Sequence, residues 1–262
     1  MIGHLRQLLL TATALLASCV VQAAESASAV SLPAFIAPLP ADAAPPPSDP
    51  RDFHGMWLNY RRTPELILTV EGQKPPFVPN AFAAREARVQ SAEAGRPLAN
   101  SAVMCRPPGF LWVMGLYFPV LVMQDDTAFT FAFERFHTIW RIDMAEQPRR
   151  RPNRTYMGQS AGRWDGNTLV VETTGFKAEQ WLDDLGTVMS DQAHLTTRLT
   201  KRSEGRELEV ITEIDDPATF TKPWVVRQIL NWRPDYLVLA EHDCEETAGQ
   251  PEDAKKYGYS VP

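Results

Sequence analysis

Hydrophobic and polar positions alternate at period two through most of the chain beyond residue 117, and each run breaks at residues that favour turns. Phe118–Gln124 gives way at Asp125-Asp126 to Thr127–Glu134, where Phe129, Phe131 and Phe133 share one face. His137–Met144 follows, then a loop rich in Pro and Arg. Thr155–Trp164 and Thr168–Thr174 flank Asp165-Gly166-Asn167, and His194–Arg202 and Arg206–Asp215 flank Ser203-Glu204-Gly205. Trp224–Trp232 and Tyr236–Cys244 flank Arg233-Pro234-Asp235. Short strands joined by tight turns describe an antiparallel meander. About eight or nine of them suffice to close a sheet on itself and remove its exposed edges. The expected fold is therefore all-β, an up-and-down meander closing into a barrel, with a curved open sheet or a sandwich as the alternative.

One helix is expected. Asn80 can cap residues 81–94, whose Ala, Glu and Arg content favours a helix, and Gly95 follows as a stop. Its apolar face is thin, which places it on a surface. Between Phe176 and Ser190 the alternation lapses, and KAEQWLDDLGTVMS reads as a long connection able to lie across a barrel mouth. The glycine-rich stretch GQSAGRWDGNTLVVETTGF, residues 158–176, matches two enzyme patterns by letter. A phosphate-binding loop needs a helix after its glycines, and the G-x-S-x-G serine elbow needs a strand-to-helix turn. Here an alternating strand follows Asp165-Gly166-Asn167, so both readings fail on context and a hairpin remains.

The chain ends add a compartment. Arg6 precedes an apolar run from Leu8 to about Val21, too short to span a bilayer comfortably and ending in small residues. Residues 1–23 read as an export signal cleaved before Ala24, or residues 1–18 as a lipoprotein signal with Cys19 lipidated. Residues 24–50 are rich in Ala, Ser and Pro and read as a disordered tether. Residues 51–247 form the barrel domain and 248–262 a tail. The expected location is the periplasm or the outer membrane surface. Net charge is −6, from 26 basic and 32 acidic residues. No basic run suits nucleic acid, and Arg149-Arg150-Arg151 reads as a solvated loop tip. Beyond the signal, Cys105 and Cys244 are either a disulfide or two separate buried thiols.

The motif YMGQSAGRWDGNTLVVETTGF, then WLDDLG, His194, IDDPATFTKPW and a terminal CEE, is similar to a large family of exported proteins of Gram-negative soil and water bacteria without an assigned activity. Gly55-Met56-Trp57 and Cys105-Arg106-Pro107-Pro108-Gly109 extend the resemblance over nearly the whole mature domain. It implies a lipocalin-like (calycin) barrel. The chain departs from the family at Phe136-His137-Thr138-Ile139-Trp140, where a basic, less aromatic segment is usual.

Candidate chemistry divides into a pocket and a set of acid–base groups. Trp112, Tyr117, Phe131, Phe133 and Trp140, with Arg141, suit a pocket for a small apolar or aromatic molecule, or else an ordinary core. His194 with Asp183 or Asp184, and His137 with Glu134 and Arg141, suit proton transfer in a cofactor-independent isomerase, lyase or hydrolase, or else surface ion pairs. No histidine pair has metal-ligand spacing, so neither a metal nor a cofactor is expected. Ligand binding by an exported barrel leads; an enzyme on the same scaffold and a structural envelope protein stand behind it.

Overall fold

The computed structural model describes residues 37–60, 69–95, 105–148, 153–178, 180–183, 186–236 and 239. Outside them fall the N-terminal apolar run with Cys19, the Arg149–Arg151 run, Asp184, Cys244 and the tail at 248–262. The expected strand at Tyr236–Cys244 also falls there, apart from its first residue and Leu239. Eleven strands are assigned among the described residues: β1 Gly55–Asn59, β2 Pro119–Gln124, β3 Ala128–Phe133, β4 Thr138–Met144, β5 Gln159–Asp165, β6 Thr168–Thr174, β7 Gln180–Trp181, β8 Val188–Met189, β9 His194–Arg202, β10 Glu207–Asp215 and β11 Trp224–Trp232. Nine of them close into a barrel in the order β1-β11-β10-β9-β6-β5-β4-β3-β2, and β7 and β8 form a separate two-stranded ribbon in the connection from β6 to β9.

The ring departs from a pure antiparallel meander at one seam, where β4 and β5 run parallel. Strand directions can alternate all the way round a closed ring only when the number of strands is even. Nine strands impose one like-directed neighbour pair, and the connection 145–158 carries the chain back to the end at which β4 began. The seam is short, pairing Ile142 with Ser160, Asp143 with Ala161 and Met144 with Gly162. Gly162 belongs there because a Cβ at that point would lie 2.8 Å from the Ile142 side chain.

Alternation sets which side chains fill the barrel. On β9, Leu195, Thr197 and Leu199 are buried while His194 and Arg198 are exposed; on β10, Leu208, Val210, Thr212 and Ile214 are buried. The two buried threonines share a hydroxyl hydrogen bond at 3.1 Å, so neither leaves a polar atom unpaired. Phe129, Phe131 and Phe133 of β3 join Trp140 and Ile142 of β4 in the same core.

A helix that the alternation does not reveal, α2 at Phe110–Gly115, is buried along its whole length. Its Phe110 ring lies 4.5 Å from Trp140. Asn59 Nδ2 donates to the Met114 carbonyl near the helix end and Gln228 Nε2 to the Leu111 carbonyl, so side chains of β1 and β11 tie the helix to the barrel wall. The connection 177–190 packs here too, with Trp181 stacked on Trp112 at 6.3 Å. The surface helix, α1, spans Pro79–Glu93, so Asn80 lies within its first turn; Val78 is the N-cap and Pro79 starts the helix with its φ already fixed near the helical value. A buried Arg85 donates to Thr187 at 3.2 Å and docks α1 on the 186–190 segment.

The other end is closed by residues that composition assigns to a free tether. From Ala44 the chain is a strap: Trp232 Nε1 donates to the Ala44 carbonyl, and Lys201 Nζ donates to the carbonyls of Pro47, Asp49 and Asp52. Phe53 is fully buried between Phe129 and Trp164. The tether reading to Pro50 is corrected accordingly, because one ammonium group takes up strap carbonyls that would otherwise face water. Arg233 and Asp235 form a bidentate pair after β11, and Arg233 stacks on Tyr236 at 4.7 Å.

Candidate functional site

Where β4 and β5 diverge above their three-residue seam, the barrel wall opens into a cleft of about 400 Å³. Its floor includes Trp140 and Ser160, joined by a hydrogen bond from the indole N–H to the serine hydroxyl at 2.8 Å. The outward face of β4 contributes Ile139, Arg141 and Asp143, because a strand that buries Thr138, Trp140 and Ile142 turns the alternate residues out. Ile139 is 51% exposed, unusual for a large aliphatic side chain. Pro107, from the segment leading into α2, and Met157 complete the apolar part of the lining.

The segment 154–158 is held in place by backbone bonds to the end of β6. Thr155 N donates to Gly175 O at 3.1 Å and Lys177 N to Thr155 O at 2.9 Å. Gly158 has φ +68°, and a Cβ on it would lie 2.9 Å from the Thr174 carbonyl, so glycine is needed for the turn into β5. These bonds bring the Lys177 ammonium to 4.7 Å from the Tyr156 ring centre. Arg141 pairs with Asp143 at 2.9 Å. Arg154 meets the Asp191 carboxylate at 3.6 Å and donates to the carbonyls of Phe176 and Asp191.

Of the pocket residues expected from sequence, Trp140 and Arg141 reach the cleft. Phe131 and Phe133 are buried in the barrel core, Phe131 against Trp140 at 4.9 Å. Trp112 belongs to the separate cluster with Trp181, and Tyr117 stacks on Phe118 at 5.0 Å. The aromatic residues are thus spread over three places. Trp140 borders the cleft, but its side chain is fully buried and packs in the core against Phe110 and Phe131.

The acid–base groups are also apart. His194 Nε2 lies 2.6 Å from Glu172 Oε2 on the outer face of β9 and β6, with the imidazole 47% exposed. Thr196 donates to the same carboxylate oxygen at 3.1 Å. Asp183 is fully buried and accepts from the Thr187 amide and hydroxyl at 2.9 and 2.6 Å, organising its own loop. His137 does not begin β4: with Phe136 it takes a left-handed φ in the turn after Glu134, which displaces it from the face of Ile139 and Arg141. Ser160 sits inside a strand and shares a hydroxyl bond with Thr173 at 2.9 Å as well as the Trp140 bond. Among the described residues no three His, Cys, Asp or Glu side chains group as metal ligands.

Ile139, Met157, Tyr156 and Lys177 line the cleft without being expected there from the sequence. An exposed isoleucine on a strand whose other outward residues are charged was the available signal. No protein-family model matches the chain, and no curated protein sequence matches it significantly.

Proposed function

We propose that the chain is an exported, small-molecule-binding β-barrel protein whose ligand, a compact molecule with an apolar or aromatic body, sits in the cleft beside the parallel seam. The observation that carries this reading is the opening itself: about 400 Å³, bordered by a half-exposed Ile139, Met157 and Pro107, with a few convergent polar groups. Small-molecule sites have this size and this mixture of an apolar lining with sparse polar contacts. The apolar N-terminal run and the lipocalin-like resemblance support export to the periplasm or outer membrane surface and a binding role. The His194–Glu172 pair, although hydrogen-bonded as an acid–base pair would be, stands outside the cleft and adds nothing to this site.

Isothermal titration with 2-naphthamide, an uncharged bicyclic probe, tests the proposal. Saturable binding is expected, and Ile139→Asp should weaken it at least about tenfold, since a carboxylate would then desolvate against the ring. Ile139 is exposed, so the variant should retain its stability within about 0.5 kcal/mol. Affinity unchanged in Ile139→Asp, or binding of neither the amide nor its carboxylate analogue 2-naphthoate, would sink the cleft as the ligand site.

A further inference from the structure

The charges around the cleft are uneven. Arg141, Arg154 and Lys177 border it together with one carboxylate, Asp143, on a chain whose net charge is −6. Two of these cations are committed: Arg141 to Asp143 at 2.9 Å, and Arg154 to Asp191 at 3.6 Å and to two carbonyl oxygens. Lys177 differs. Among the described residues no carboxylate lies within ion-pair distance of its ammonium, which instead stands over the Tyr156 ring. Its backbone is fixed by the bond from its amide to Thr155, so the side chain starts from a defined point on the rim.

A ring face is a weaker partner for an ammonium than an anion is, because it offers a quadrupole where an anion offers full charge and hydrogen-bond acceptors. An exposed lysine would ordinarily be satisfied by water. At the rim of an apolar cleft, a bound molecule displaces that water, and a negative group on it would then meet Lys177 in a medium less polarisable than bulk solvent. Tyr156, itself part of the lining, holds the ammonium 4.7 Å from its ring centre at the cleft.

We infer that the cleft selects anions: its ligand carries a carboxylate-type group taken by Lys177, joined to a flat apolar body that rests against Ile139, Met157 and Pro107. This inference depends on the cleft being the ligand site. The uneven lining also gives a reason why a net acidic protein would attract an acidic ligand, since the local field near an opening can oppose the sign of the whole molecule.

A matched pair of probes separates the two ideas. 2-Naphthoate and 2-naphthamide share one ring system and differ in the charge of the substituent. Titrated into the intact protein at low ionic strength, naphthoate should bind about tenfold or more tightly than the amide, and the preference should shrink as salt is added. Lys177→Gln should remove the preference, leaving the two probes with similar affinity, and Lys177→Arg should restore most of it. Equal affinity for both probes, or a preference that survives Lys177→Gln, would overturn anion selection and leave the cleft reading standing. Failure of both probes to bind would overturn the cleft reading and this inference with it.

Discussion

Ser160 accepts a hydrogen bond from the Trp140 indole and shares another with Thr173, so its hydroxyl is engaged on both sides within the wall of the barrel. The letters around it match a nucleophile elbow, yet the neighbours that would activate a serine are absent from its contacts: both partners are structural. Ser160→Ala should therefore act on stability. The Trp140 N–H would be left buried without an acceptor, a cost of about 1–3 kcal/mol, visible as a lower midpoint in urea with the slope unchanged. A fluorophosphonate probe should label residue 160 in neither protein; labelling of the wild type would restore the hydrolase reading. His194 makes the same point about what a sequence can disclose. Its outward direction follows from alternation with Leu195, but its partner Glu172 follows from β6 pairing with β9 across an intervening ribbon, which no local pattern records.

At the scale of elements, legibility tracks how far the determining contacts lie along the chain. β9 and β11 occupy His194–Arg202 and Trp224–Trp232, the bounds that alternation and turn residues imply, because a half-buried strand writes its own period. The helix α2 writes none: FLWVMG is apolar throughout, and a run buried on every side has no face to display. The strap at 44–53 is misleading for a third reason. Its Pro and Ala content is that of a linker, and the group that orders it, Lys201, is some 150 positions away, at |i−j| of 154, 152 and 149 from its three carbonyl partners. Lys201→Met keeps the aliphatic stem and deletes those donations. It should lower stability by about 1–3 kcal/mol and speed proteolysis within residues 44–53 ahead of any cleavage in β9. Unchanged protease resistance there would show that Phe53 and the Trp232–Ala44 bond hold the strap without the ammonium.

For the whole molecule, ring parity links fold to site: an odd barrel needs a parallel seam, this one is three pairs long, and the cleft opens where the pairing stops. Neither the seam nor the cleft could be seen from periodicity, which fixes the faces of a strand but not the direction of its neighbour. One covalent link bears on the same region. Cys105 is disulfide-bonded, two residues before Pro107 at the cleft and five before the start of α2. Its partner lies outside the described residues, and the chain's other cysteines are Cys19 and Cys244. The proposed export would decide between them. Cleavage before Ala24 removes Cys19, and lipidation occupies its sulfur, so in an exported protein Cys105 must pair with Cys244 or with a second chain. Peptide mapping of the non-reduced mature protein should accordingly recover a Cys105–Cys244 linked pair within a monomer whose N-terminus is Ala24 or a lipidated Cys19. On the chain-entropy model a loop of this length contributes about 4–5 kcal/mol, so reduction should lower the thermal midpoint by about 8–20 °C. A Cys19–Cys105 link in protein recovered from the periplasm would contradict both the processing and the pairing, because it requires the N-terminal segment to remain on the folded chain with Cys19 unlipidated.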